Sequence, residues 1–75
     1  MEEKVLEILK NVLELDQIDK SISSSTCDKW DSMAQLNVSV ELEAEFSVSL
    51  EPEDIAALAS YEDIIRILKE KGITY

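Results

Sequence analysis

Seven apolar residues alternate with polar ones between positions 38 and 50, and this stretch constrains the fold more than any other feature. They are Val38, Val40, Leu42, Ala44, Phe46, Val48 and Leu50. Such alternation is typical of a half-buried β-strand. However, the sequence contains no second run of this kind, and a lone strand would leave its backbone N–H and C=O groups unpaired. We therefore predict a helix over residues 32–46, because Asp31 and Ser32 make a good helix start.

Helical spacing of apolar residues recurs before this segment. Val5, Leu9, Val12 and Leu13 lie on one face of a first helix, which we predict over residues 2–15. A serine-rich stretch over residues 16–31 breaks the pattern and predicts a long loop. Loops of this length inside a small domain are often functional.

Two shorter helices are predicted after the central one. Pro52 suits the first turn of a short third helix, with Ile55 and Leu58 facing inward. A fourth helix begins at the capping residue Ser60 and ends near Gly72. The prediction is an all-α fold, with residues 1–75 forming a single domain. Its core is thin, because a chain this short buries only about 60% of the surface that its unfolded form exposes.

The composition excludes several classes of function. The chain has no histidine, which removes the commonest general base and every Ser/His or Cys/His pair, and its single cysteine allows no multi-cysteine metal site. The net charge of −10 opposes binding to nucleic acid and to anionic membranes. No apolar run is long enough to span a membrane. We therefore expect a non-enzymatic cytoplasmic protein without a metal site.

On a helix over residues 32–46, the apolar residues fall on two nearly opposite sides. One side carries Val38, Leu42 and Phe46, and we predict that it faces the core. The other side carries Met33, Leu36, Val40 and Ala44. Because a thin core has room for only one apolar face, we predict that the second is partly exposed, although a loop wrapped over it would also account for the pattern.

The acidic residues are concentrated in the same region. Residues 30–65 contain nine acids and no Lys or Arg, whereas the remaining residues contain eight acids and seven bases. Between residues 41 and 54 six acids lack a nearby base in the sequence, and they are Glu41, Glu43, Glu45, Glu51, Glu53 and Asp54. Such a surface beside exposed apolar residues favours docking of a basic partner.

The residues Asp31-Ser32-Met33, which follow a long loop and Trp30, resemble the signature of the acyl carrier protein family. The later residues Glu43-Ala44-Glu45-Phe46 resemble the end of that family's acidic second helix, and the resemblance covers essentially the whole chain. It implies a small four-helix up-and-down bundle with a long loop between helices 1 and 2. Three features depart from the pattern: Ser47 replaces the usual Gly, Ala34, Gln35 and Asn37 replace residues that are often acidic, and Ser39 replaces an interior apolar residue.

By this resemblance, Ser32 carries a 4′-phosphopantetheine arm taken from coenzyme A, and Asp31 caps the helix and completes the motif. A phosphopantetheinyl transferase would attach the arm, because the sequence places no base near Ser32 that could activate it. The arm would carry acyl or aminoacyl groups as thioesters between loading and synthase enzymes. We expect those enzymes to use basic surfaces that contact Met33, Leu36, Val40, Glu41 and Glu43.

A second interpretation is an acidic helical adaptor or inhibitor that binds a basic protein and leaves Ser32 unmodified. It explains the charge and the second apolar side equally well, but it does not explain the Asp31-Ser32-Met33 motif. In either case we expect a free-standing monomer.

Overall fold

Four α-helices make up the regular structure of residues 2–73, the part of the chain that the computed structural model describes. They are α1 (Glu2–Val12), α2 (Ser32–Phe46), α3 (Pro52–Ala56) and α4 (Tyr61–Glu70). No β-strand occurs in these residues, and the only β-type pairing among them is an isolated antiparallel bridge between Ser23 and Ser60. The predictions of an all-α chain and of a helix over 32–46 are confirmed.

Three of the helices end in the same way, with a residue in the left-handed conformation just after the last turn. These residues are Glu14 (φ 54°), Ser47 (φ 53°) and Gly72 (φ 87°). After α1, the Leu15 N–H donates to the Lys10 carbonyl at 3.0 Å, which is the closing hydrogen bond of a Schellman motif. The prediction that the first helix reaches Leu15 is therefore wrong by three residues. No glycine marks its end, and Leu13 and Leu15 continue the apolar pattern beyond it.

The core forms where α1 packs against α2 and α4, and α2 packs against α3. α2 contributes an inner face of buried side chains, defined by Ala34, Val38 and Leu42. The prediction that Val38 and Leu42 belong to the core is confirmed. The prediction for Phe46 holds only in part, because its side chain packs against the core but is half-buried. Ser39 is also buried, and its Oγ donates to the Leu36 carbonyl at 2.7 Å.

The connection between α1 and α2 is held against the start of α4. The Tyr61 N–H donates to the Ile22 carbonyl at 3.1 Å, and the Ser24 N–H donates to the Ala59 carbonyl at 2.7 Å. Ile18 and Ile22 are partly buried against the core. These contacts anchor the middle of the connection.

None of the helices within residues 2–73 is both long enough and apolar enough to cross a membrane.

Candidate functional site

The start of α2 is built around Asp31, which lies in an extended conformation immediately before the helix. Its Oδ1 accepts a hydrogen bond from the Ala34 N–H at 2.9 Å, and its carbonyl accepts one from the Gln35 N–H at 2.9 Å. The side chain therefore satisfies one of the N–H groups that a helix leaves free at its first turn. The predicted capping role of Asp31 is confirmed.

Ser32 is the first residue of α2 and its side chain is exposed. Its hydroxyl makes no hydrogen bond to any of residues 2–73. The N–H groups of Ser32 and Met33 also lack intrahelical partners, because they belong to the first turn. A phosphate esterified to the Ser32 Oγ would lie beside these N–H groups and the positive end of the helix dipole.

Two side chains close to Ser32 in the sequence hydrogen-bond the start of α2 to the segment between α3 and α4. The buried Trp30 donates from Nε1 to the Leu58 carbonyl at 3.1 Å, and Gln35 donates from Nε2 to the same carbonyl at 2.9 Å. Trp30 thus anchors the end of the connection to the core. The role of Gln35 was not predicted, because nothing in the local sequence indicates that its side-chain amide bonds a carbonyl 23 residues away.

No residue near Ser32 is placed to activate its hydroxyl. Lys29 is the nearest base in the sequence, and its Nζ donates to the Glu14 carbonyl at 3.1 Å. Among residues 2–73, no group of three or more His, Cys, Asp or Glu side chains could hold a metal ion. Within residues 2–73, the arrangement is therefore an exposed hydroxyl without a general base beside it.

The exposed side of α2 continues away from Ser32 as an apolar surface. Met33, Leu36 and Val40 are 66%, 50% and 61% exposed, and together they define the outer face of α2. Large apolar side chains that cluster at such exposure commonly mark a binding surface. The predicted partial exposure of this side is confirmed, whereas its use by partners stays a prediction.

Glu41 and Glu43, both predicted to contact partners, lie in different environments. Their side chains are about 200° apart around the helix axis. Glu41 is exposed and makes no hydrogen bond or ion pair with residues 2–73. Glu43 is half-buried, and its Oε2 accepts a hydrogen bond from the Leu50 N–H at 2.9 Å. Glu43 therefore holds the turn that follows α2.

Asp54 does not lack a basic partner, contrary to the expectation from the sequence. Its Oδ2 lies 2.8 Å from Nζ of Lys71, which follows α4, and it also accepts a hydrogen bond from the Glu51 N–H at 2.9 Å. The hydrogen bond from Lys71, followed by that from Glu51, lowers the pKa of Asp54 below its usual value. The same pairing raises the pKa of Lys71. A pair 17 positions apart is set by tertiary structure.

Most of the chain aligns with the sequence of a known protein. Over 71 residues the chain is 30% identical to a protein named acyl carrier protein from Petrotoga mobilis (strain DSM 10674 / SJ95). The alignment covers 92% of this chain and 84% of that protein. No family model matches the chain, and no solved structure matches it significantly. Because the alignment covers 92% of the chain, it leaves out only a few residues at the ends and therefore includes Asp31 and Ser32.

Proposed function

The chain belongs to the acyl carrier protein family, and we propose that it carries acyl or aminoacyl groups as thioesters on a 4′-phosphopantetheine arm attached to Ser32. One observation carries this proposal. Ser32 is exposed in the first turn of α2, directly after the capping Asp31, in a chain similar to an acyl carrier protein over 92% of its length. The family relationship also supports a non-catalytic carrier role.

The attachment reaction follows from the chemistry of coenzyme A. The Ser32 Oγ attacks the phosphorus atom that bears the pantetheine, forming a new P–O bond. The P–O bond within the pyrophosphate breaks, and adenosine 3′,5′-bisphosphate leaves. The hydroxyl proton passes to a general base of the phosphopantetheinyl transferase. That enzyme would also supply Mg²⁺ to neutralise the negative charge on the pyrophosphate of coenzyme A as its P–O bond breaks.

The proposed working form is a monomer in the cytoplasm, in which the four helices form an up-and-down bundle. The contacts of α1 with α2 and α4, and of α2 with α3, support such an arrangement. The terminal thiol of the arm would accept the cargo from a loading enzyme and deliver it to a synthase. In this cycle the carrier contributes the attachment point and the docking surface, and its partners perform the catalysis.

Intact mass spectrometry tests the attachment site. We expect incubation with coenzyme A and a broad-specificity phosphopantetheinyl transferase to add one arm to the wild-type chain and none to Ser32→Ala. The variant should keep its helical circular dichroism, because the Ser32 hydroxyl has no partner among residues 2–73. An unmodified wild-type chain would instead favour the adaptor interpretation, and an arm on Ser21 or Ser24 would show that the assignment to Ser32 is wrong.

We further propose that partner enzymes dock on the outer face of α2, with Glu41 and Glu43 beside it. The basic surface of a partner would meet an acidic region and bury Met33, Leu36 and Val40. Val40→Asp should melt almost normally, within roughly 0.5 kcal/mol of the wild type, since the side chain is 61% exposed. It should, however, greatly slow transfer of the arm to Ser32.

Ser49→Asp is the matched control for this experiment. It adds the same charge at an exposed position outside the helices, so it should leave the transfer rate close to that of the wild type. If both variants slow arm transfer equally, the slowing is due to the change in net charge and not to the position of Val40. A collapsed melt of Val40→Asp would show that Val40 belongs to the core.

A further inference from the structure

A groove of about 350 Å³ runs between α1 and α2 beside the outer face. α1 contributes Ile8, Asn11 and Val12 to its lining, and α2 contributes Asn37, Val40 and Glu41. Val40 belongs both to this groove and to the outer face, so the two surfaces are continuous. The exposed apolar surface of α2 thus extends onto α1.

The groove combines an apolar floor with polar groups at its rim. Ile8 is buried and Val12 is half-buried, whereas Asn11, Asn37 and Glu41 are exposed. None of these three polar side chains makes a hydrogen bond or ion pair with another of residues 2–73. Their oxygens comprise one carboxylate and two amide carbonyls, all of which accept hydrogen bonds.

This lining suits a long side chain with an apolar stem and a cationic head. The stem would lie on Val12 and Val40, as the stems of long cationic residues commonly lie on apolar surface. Guanidinium has five donors in a planar fork, which can reach a carboxylate and flanking carbonyls together, whereas an ammonium is a compact point charge. None of the six lining residues is a cation, and the α2 side meets no Lys or Arg, because residues 30–65 contain none. On the α1 side, Lys4 lies one turn before Ile8.

We propose that this groove receives an arginine side chain from the enzymes that dock on α2, including the phosphopantetheinyl transferase. This assignment of a partner rests on the proposed carrier function. Val40 lies eight residues after Ser32, which is about 12 Å along the helix axis. An arginine held in the groove would therefore fix the position of the partner relative to the attachment serine. Glu41 is the carboxylate that binds it, since Glu43 is already engaged by the Leu50 N–H.

Side-chain amide resonances offer a direct test on the unmodified protein. The chain has four carboxamides: Asn11 and Asn37 line the groove, and Gln17 and Gln35 lie outside it. In a ¹⁵N-labelled sample titrated with n-butylguanidinium, we expect the Asn11 and Asn37 amide signals to shift saturably and the two Gln signals to stay. n-Butanol should produce no such shift, because it has the stem without the charge.

Charge-neutral variants distinguish the groove from general attraction to an acidic protein. Glu41→Gln should weaken n-butylguanidinium binding by about tenfold or more, the loss expected for one charge-assisted hydrogen bond. Glu53→Gln, at an exposed position outside the groove and with the same change in charge, should leave the affinity nearly unchanged. Equal weakening by both variants, or equal shifts of all four carboxamides, would overturn the proposal.

The transferase provides the test with a partner. Asn37→Lys places a cation in the groove and should slow arm transfer about tenfold or more relative to Gln17→Lys, an exposed control with the same charge change. Equal rates for two normally melting variants would overturn the assignment of an arginine from the transferase. If the wild-type chain accepts no arm at all, the carrier function fails, and the amide titration still decides whether the groove binds guanidinium.

Discussion

Val38 and Val40 are both valines and lie two positions apart on the same helix. Val38 is fully buried, whereas Val40 is 61% exposed. They represent the inner and outer faces of α2, which are similarly apolar. The difference lies in what the rest of the chain supplies: other elements cover the inner face, whereas the outer face has no such cover within residues 2–73. An apolar face left uncovered in so small a domain is better explained by function than by folding.

The largest expected effect comes from placing the same charge on each face. Val38→Asp should lose about 3–5 kcal/mol or more of unfolding free energy, because an unpaired carboxylate would be buried in the core. That is most of the stability expected for a domain of this size. Val40→Asp should keep a near-normal melt. Parallel thermal melts followed by circular dichroism measure both, and similar losses in the two variants would show that the faces do not differ.

A smaller contrast is expected between the two acids of α2. Glu43→Ala should lower the unfolding free energy by about 1–3 kcal/mol, since it leaves the N–H of the buried Leu50 without its acceptor. Glu41→Ala removes the same charge from an exposed side chain and should change stability by less than about 0.5 kcal/mol. Urea unfolding of both variants makes the comparison. A larger loss for Glu41→Ala would contradict the roles assigned to the two acids.

The end of α2 offers a stabilising change. Ser47→Gly should raise the unfolding free energy by about 0.5–1 kcal/mol, because Ser47 adopts a left-handed conformation (φ 53°) that a side chain disfavours. The gain is limited by the greater freedom of glycine in the unfolded chain. Ser49→Gly is the control. Its φ is not positive, so that variant should be slightly destabilised. Urea midpoints that move in the same direction for both would refute the strain at Ser47.

Salt should stabilise the protein modestly by screening the acids on and after α2. Repulsion between exposed charges is screened beyond about 10 Å at 0.1 M salt, so the melting temperature should rise from low to moderate salt at neutral pH. Millimolar divalent cations should act in the same direction. The Lys71 partner of Asp54 reduces the effect expected from the sequence alone, because added salt weakens that pair. A flat or falling melting temperature would contradict a repulsive acidic surface.

The smallest effect expected is the pH dependence of the partly buried Asp54–Lys71 pair. The pKa of Asp54 is lowered on folding, so its contribution is present above the ordinary aspartate pKa and is lost as the pH falls through the folded value. The stability difference between wild type and Asp54→Asn should therefore be constant from pH 7 to 5 and shrink below about pH 4. Melts at several pH values measure it. A difference that grows on acidification would have the wrong sign.

Helix signals carried by local residues could be predicted, whereas contacts across the chain could not. The start of α2 followed from Asp31, and the two apolar sides followed from the spacing of the residues. The end of α1 was missed because Glu14 occupies the left-handed position that glycine usually marks. The bonds of Trp30 and Gln35 to the Leu58 carbonyl, the Glu43–Leu50 bond and the groove between α1 and α2 join residues whose proximity no local pattern encodes.

By itself, the sequence determined that the chain is helical, that α2 begins at an exposed Ser32 after a capping Asp31, and that α2 carries more apolar surface than a thin core can cover. These properties depend on local backbone chemistry, residue spacing and the limited volume of a short chain. Only the tertiary structure decided that Glu41 is free while Glu43 is engaged, that Asp54 meets Lys71, and that α1 joins α2 at the groove. These outcomes depend on which distant segments lie side by side after packing, and packing is a property of the whole chain.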